Sequence, residues 1–356
     1  MTVKITESEY SILMNVPRTM HYTEVAQKAE FTVAYVSVKI KDLMNKARIT
    51  FIPDYWKMGL IPAVFMFEYE KGMDLTAFEK PFVTFLGKVI GEKEYVFVKA
   101  AVPEERVQEY VNIFEEKPVF QEIGFQELHW NPASPLTVYS KEGFDAKLDE
   151  FERVFEKELE SQEIFAVSKR MSIDELDLYI IKEKMKDPFK SLTAVGREVS
   201  KSQQLVSYHF HKHVNPLWKY NSVLIYQDFE ENPLSLFLFE FPDAKTTRAF
   251  ARTLTHLPYT FLVLQAIPRP LVIYIANIPQ KRILKFYRVL HSLREKDIIR
   301  KIEYYGYFDT ETVKEYTISY KGVLKDGEWI IPRKTLSEVA DPLPLKPPAV
   351  KKPGKR

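Results

Sequence analysis

Cysteine is absent from the 356 residues, and glycine is scarce at 11. Without a thiol the chain forms no disulfide, no thiolate metal site and no cysteine nucleophile. No glycine-rich loop of the phosphate-cradling kind is present. No run approaches 18 uncharged apolar residues, so nothing reads as a membrane span. The opening MTVKITESEYSILM lacks a basic segment followed by an apolar run, so no secretion signal is expected and a cytoplasmic location is. Charge of either sign is also missing in excess. Net charge is +2, so any affinity for nucleic acid has to come from local patches. What remains is 46% hydrophobic and 28% charged, the balance of a folded protein long enough for two or more cores. Abundant Lys and Glu with no Cys also fits a thermophile.

The chain is written twice. YTEVAQKAEFTVAYVSVKIKDLM (22–44) lies over LTAVGREVSKSQQLVSYHFHKHV (192–214) without a gap, matching Thr23 with Thr193, Val25 with Val195 and Val36-Ser37 with Val206-Ser207. FMFEY (65–69) matches FLFEF (237–241), and AAVPEERVQEY (100–110) matches ANIPQKRILKF (276–286). The offset grows from 168 through 170, 172 and 176 to 179, as small insertions in turns produce. Matched segments in one order point to an internal duplication.

Each copy opens with a helix, capped by Thr6 or Asp174, followed by two short helices. An aromatic stretch with PDYWKMG or NPLWKYN then suits a β-wing. Copy two continues as strand, helix, hairpin, helix and strand, a βαββαβ order; copy one repeats it with a shorter first helix, DLTAFEK. GFDAKLDEFERVFEKELESQ (143–162) places Phe144, Leu148, Phe151 and Phe155 on one face of an amphipathic connecting helix. YTISYKGVLKDGEWIIP predicts a hairpin turning at Asp326-Gly327. The last residues are rich in Pro and Lys and are expected to be a disordered tail.

VSVKIKDL followed by PDYWKMGLIPAVFMFEY resembles the Lrp/AsnC family of transcription regulators. That family's second helix-turn-helix helix carries a V-S-x-x-I-x-x-L pattern, present here as Val36, Ser37, Ile40 and Leu43. KVIGEKEYVFVKA (88–100) is similar to the glycine-bearing hairpin of the family's effector domain. The resemblance implies an α+β protein with two winged helix-turn-helix units, each followed by a ferredoxin-like βαββαβ domain. The expected boundaries are 1–60, 61–134, a linker at 135–170, 171–230, 231–308, a C-terminal hairpin extension at 309–339 and a tail at 340–356. It also implies double-stranded DNA as partner and self-association through the ferredoxin-like domains. In copy two the hairpin glycine gives way to Pro268-Arg269-Pro270, which argues against a small-molecule effector there.

Three histidines fall within VSYHFHKH at positions 209, 211 and 213. Against copy one, His209 and His211 take the slots of Lys39 and Lys41, while His213 takes that of Leu43. His213 is therefore expected in a packing slot at the edge of the core, on the stripe of Val206 and Phe210. A metal at His209 and His213 needs a third ligand; no nearby His or Cys supplies it, though an Asp or Glu from elsewhere could, and no metal or cofactor is expected. Opposite the core stripe lie Lys201, Gln204, Tyr208 and Lys212, the outward side of a recognition helix. Gln203 and Gln204 are placed for base edges, Ser207 for a phosphate or base, and Lys201, Lys212, His209 and His211 for the DNA backbone. Copy one offers Tyr35, Ser37, Lys39 and Lys41, with Tyr35 and Val38 forming a more apolar outer face. Copy two is expected to carry more of the affinity.

The leading expectation is a DNA-binding transcription regulator or architectural chromatin protein without enzymatic activity. Siroheme decarboxylases resemble the same family in fold and work as paired halves, with His and Arg around a tetrapyrrole; HFHKHV and His256 are the residues similar to theirs. A protein-binding adaptor of the transcription machinery is the third reading.

Overall fold

A computed structural model describes residues 4–141, 143–161 and 169–347. Three short helices open it: α1 (Glu7–Leu13), α2 (Tyr22–Ala29) and α3 (Val33–Leu43). Thr6 and Glu9 form a reciprocal capping box at the start of α1, satisfying two backbone donors that a helix end leaves free. Val36, Ile40 and Leu43 of α3 are fully buried among Ile12, Leu13 and Val25. Strand β1 (Ala47–Pro53) follows, then β2 (Leu60–Glu68), β3 (Val83–Ile90), β4 (Glu94–Pro103), α4 (Val107–Val111), β5 (Phe120–Ile123) and β6 (Phe125–Leu128). A hairpin, β7 (Thr137–Ser140) with β8 (Gly143–Ala146), leads into α5 (Phe151–Glu160).

The second half begins with α6 (Glu175–Lys186), capped by Asp174 and Asp177 as α1 is by Thr6 and Glu9. Next come α7 (Leu192–Glu198), α8 (Gln203–His209), a π-helical turn at Phe210–Val214 and β9 (Trp218–Ile225). The remainder is β10 (Ser235–Glu240), α9 (Ala244–Leu254), β11 (Thr260–Ala266), β12 (Leu271–Ala276), α10 (Gln280–Glu295) and β13 (Lys301–Phe308). The end carries β14 (Lys314–Tyr316), a small hairpin of β15 (Leu324–Lys325) and β16 (Glu328–Trp329), α11 (Leu336–Val339) and β17 (Pro342–Leu343). The fold is mixed α+β with antiparallel sheets.

One large sheet runs β5-β2-β4-β3-β13-β10-β12-β11-β6. Within each half the order is fourth, first, third, second. Alternation along the strands gives each sheet two buried faces. Phe65 and Phe67 face one core with Tyr110, and Phe237 and Phe239 face another with Phe250. Met66, Leu236 and Leu238 instead meet in a third core between the halves. The halves are also stitched at both edges, where β6 pairs with β11 and β14 pairs with β3. Beside the second seam, Gly306 (φ 120°) and Gly91 touch backbone to backbone. A Cβ on Gly306 would stand 2.0 Å from the Ile90 carbonyl oxygen.

Segments that follow each half cross to the other. Phe151, Val154 and Phe155 of α5 pack with Phe250 and Leu254 of the second half. Trp329, Leu336 and Val339 pack with Phe82 and Tyr110 of the first.

Four local expectations need correction. The aromatic stretches form no wing hairpin of their own: β1 pairs with β9 across the halves, and Trp56–Met58 is a single 3-10 turn. One strand per half is too little to satisfy its own backbone groups, so each supplies the other's partner. The connecting helix predicted over 143–162 starts only at Phe151, because Gly143–Ala146 pairs with Thr137–Ser140. DLTAFEK holds a 3-10 turn at Leu75–Phe78. The proline-rich end is ordered as far as β17, which pairs with β14; 348–356 lie outside the described residues. The turn at Asp326 (φ 53°) and Gly327 (φ 81°) is as expected. Among the described residues no helix is long and apolar enough to cross a membrane.

Candidate functional site

Helix α8 starts at Ser202, whose hydroxyl accepts from the Leu205 amide, and buries Val206 and Phe210. Lys201, Gln203, Gln204, Tyr208, His211 and Lys212 are exposed, and Ser207 is half-buried. All of these except Lys201 border one shallow, open hollow of about 670 Å³. On α3, Lys41 is exposed, Ser37 and Lys39 are half-buried, and the Tyr35 hydroxyl reaches Ser8 Oγ at 3.1 Å. Val33 and Val38 leave an apolar outer face there.

The histidines depart from the expected placement. The regular helix breaks at Phe210, where one extra residue is accommodated as a π turn. Ile40 and Leu43 of α3 are three apart, whereas Phe210 and Val214 fill the corresponding core positions four apart. Val214, not His213, therefore takes the leucine slot. His213 swings aside, and its Nδ1 lies 3.0 Å from Asp177 Oδ2. His209 does not point outward for DNA either: its Nδ1 is 2.9 Å from Asp177 Oδ1, with only 12% of the side chain exposed. Asp177 is fully buried. Burial raises its carboxyl above the ordinary value, against the hydrogen bonds from the Asp174 amide and the two imidazoles. His211 alone of the three remains on the outer face.

A second polar centre lies at the seam of the halves. Lys99 Nζ and Glu127 Oε1 pair at 2.9 Å with both side chains buried. Arg48 donates to Glu315 at 2.8 Å and to the Pro344 carbonyl at 3.2 Å. The Tyr220 hydroxyl donates to the Glu127 carbonyl at 3.2 Å, which leaves it to accept from His129 Nδ1 at 3.0 Å. Burial, with the charges of Lys99, Arg48 and Lys219, pushes the His129 imidazole down to about 3, so it is neutral. The cavity that Arg48, Lys99, His129 and Glu315 line is about 10 Å³, room for a single water at most.

Glu315 connects this centre to a much larger cleft of about 570 Å³. Its walls are largely apolar, with Phe229, Leu234, Phe308, Val313, Leu343 and Leu345, and Lys314, Lys346, Glu311 and Glu315 bring two charges of each sign. A cleft of this volume with apolar walls and several convergent polar groups suits a small molecule. Tyr316 lines it too; burial and the nearby Glu79 push its phenol up to about 12, so it keeps its proton at neutral pH. Sequence reasoning missed this seam and Asp177. A signal existed for Lys99, a lysine at a buried position of the apolar run EYVFVKAAVP; Arg48 and Glu315 meet only by folding.

No family model matches the chain, and no curated protein matches it. Solved structures do, as a class of mixed α+β proteins. A siroheme decarboxylase, NirDL, aligns over 84% of this chain and 90% of its own, at 11% identity and a TM-score of 0.49. An AsnC-family transcriptional regulatory protein from Pyrococcus furiosus aligns over 37% of this chain and 87% of its own, at 18% identity and a TM-score of 0.24. The leucine response regulatory protein LrpA of Mycobacterium tuberculosis aligns over 38% of this chain and 97% of its own, at 16% identity and a TM-score of 0.23. All three scores lie below 0.5, and the functional reading rests on this chain's own side chains. The expectation of a protein without enzymatic activity is corrected: two matching structures that span 84% of the chain are of an enzyme, the siroheme decarboxylase NirDL.

Proposed function

We propose that residues 1–134 and 171–308 are two Lrp/AsnC-like units fused into an intramolecular pair, and that the cleft between Phe229, Leu234 and Phe308 of the second unit and the C-terminal segment 310–346 is an enzymatic site. The substrate class is an amphipathic polycarboxylate, with siroheme-type tetrapyrroles the first to test. The observation that carries this reading is the 570 Å³ cleft with apolar walls beside the buried Arg48–Glu315 pair. Val313, Pro342, Pro344 and Leu345 keep apolar surface open to a macrocycle, and Lys346 offers charge to its carboxylates, Lys314 being paired with Glu79 at 2.6 Å. No His, Cys or Met is among the lining residues, so the wall would hold such a ring by its faces and acids, not through its iron.

Decarboxylation breaks a carbon–carbon bond, releases CO2 and leaves an electron pair on carbon that must take up a proton. In this reading Tyr316, the phenol in the lining, donates it and is reprotonated from solvent. Titration with an iron tetrapyrrole acid, followed by absorbance, tests the site. Saturable spectral change that is lost in Leu345→Glu supports it, and unchanged spectra would sink it. Tyr316→Phe should keep binding and lose CO2 release.

The outward row on α8 favours a second activity of the same chain. Gln203, Gln204, Ser207, Tyr208, His211 and Lys212 present donors, acceptors and charge from one helix face, as major-groove readout requires. Duplex binding that weakens steeply with salt supports it.

A further inference from the structure

We propose that Asp177, His209 and His213 form a binding site for one borderline divalent cation of the zinc type. It stands apart from the cleft and from the outward row on α8.

The three side chains come from two elements and converge on one point. Asp177 belongs to the first turn of α6; His209 ends α8 and His213 lies in the π turn after it. His209 Nδ1 is 2.9 Å from Asp177 Oδ1, and His213 Nδ1 is 3.0 Å from Oδ2. These ligand atoms all lie within 4.8 Å of one another. Zinc bonds of about 2.0–2.1 Å place tetrahedral ligand atoms about 3.3 Å apart, and Asp177 Oδ1 already lies 2.9 Å from His209 Nδ1 and 3.2 Å from His213 Nδ1. Two imidazoles and one carboxylate leave the fourth position for water. The Asp174 amide donates to Asp177 Oδ2 at 2.9 Å and orients that carboxylate, as an outer partner of a ligand does.

Comparison with the first half supplies the reason for a cation. Glu9 holds the place of Asp177 there, as the third residue of the equivalent capping box, and is also buried. Lys46 offsets its charge at 2.8 Å. Among the described residues Asp177 has no Lys or Arg partner; the two imidazoles stand where the ammonium would be. The π turn carries His213 off the core stripe and toward Asp177, beside His209 at the end of α8, and the first half has a regular helix at this point. Single-turn π bulges of this kind cluster at functional sites. An ion here would fasten α6 to the end of α8.

Untagged full-length protein, stripped with a chelator, is titrated with Co2+ followed by visible absorbance, then with competing Zn2+ by calorimetry. One equivalent is expected, with a rise in melting temperature. His209→Ala and His213→Ala should each lower Zn2+ affinity about 100-fold and abolish the thermal shift, whereas His211→Ala, on the exposed face, should change neither. Asp177→Asn also removes half a capping box, so the histidine variants carry the test, with circular dichroism confirming that they fold. Substoichiometric uptake, or binding that survives His213→Ala, overturns the proposal.

Discussion

Arg48 on β1 and Glu315 on β14 pair at 2.8 Å although 267 positions separate them, and both side chains are largely buried. The pair joins the strand that leaves the first helical trio to the segment that follows the last long strand. It also stands between the small polar cavity and the large cleft. Removing one partner strands the other's charge in a poorly solvated place. Glu315→Gln should therefore cost about 3 kcal/mol by urea denaturation. A loss under about 1 kcal/mol would mean that water reaches Arg48 freely.

His129 sets an acid-side prediction. Its pKa is pushed down to about 3, below the value near 6.5 of an unfolded histidine. Between those values the unfolded chain binds the extra proton, so stability rises with pH across this window and falls as acid is added. Above about 6.5 the group contributes no slope. Replacing His129 by Gln should flatten the stability curve between about pH 4 and 6. A parallel curve would show that carboxylates alone govern that limb.

The π turn makes a packing prediction that separates neighbouring residues. Val214 is fully buried, whereas His213 is partly exposed. Val214→Ala should cost about 2 kcal/mol, and Leu43→Ala, in the matching slot of the first half, about 3 kcal/mol. Thermal or urea unfolding reads both. Val214→Ala without effect would return the core slot to His213.

Gly306 permits the halves to touch. Its φ of 120° disfavours any side chain, and a Cβ would meet the Ile90 carbonyl. Gly306→Ala should lower stability by about 3 kcal/mol and loosen the pairing of β13 with β3, visible as faster amide exchange at Ile90. Unchanged exchange would place the strain elsewhere.

The two helix faces predict unequal duplex binding. Lys212→Ala should weaken low-salt affinity several-fold and reduce the salt slope by about 0.9, while Lys41→Ala should do less. Equal losses, measured by fluorescence anisotropy on one duplex, would remove the asymmetry.

Much of the fold is legible from particular residues. The Thr6–Glu9 and Asp174–Asp177 spacings mark both helix starts, and the alternation in FMFEY and LSLFLFEF marks strands with two buried faces. The outward row of α8 follows from helical period, because a solvated face needs no partner to be recognised. The candidate sites were less legible. The ungapped repeat sets His213 opposite Leu43, because a one-residue bulge inside a helix leaves no mark in the sequence.

The sequence by itself determined where the capped helices begin and which faces of the helices and long strands are apolar, since both depend on near neighbours and local periodicity. Tertiary structure alone decided that β1 pairs with β9, that each half's trailing segment covers the other, and that Arg48 meets Glu315. It likewise decided that Asp177 gathers two histidines. Those outcomes depend on satisfying backbone groups and buried charges between segments far apart in the chain, which no local pattern records.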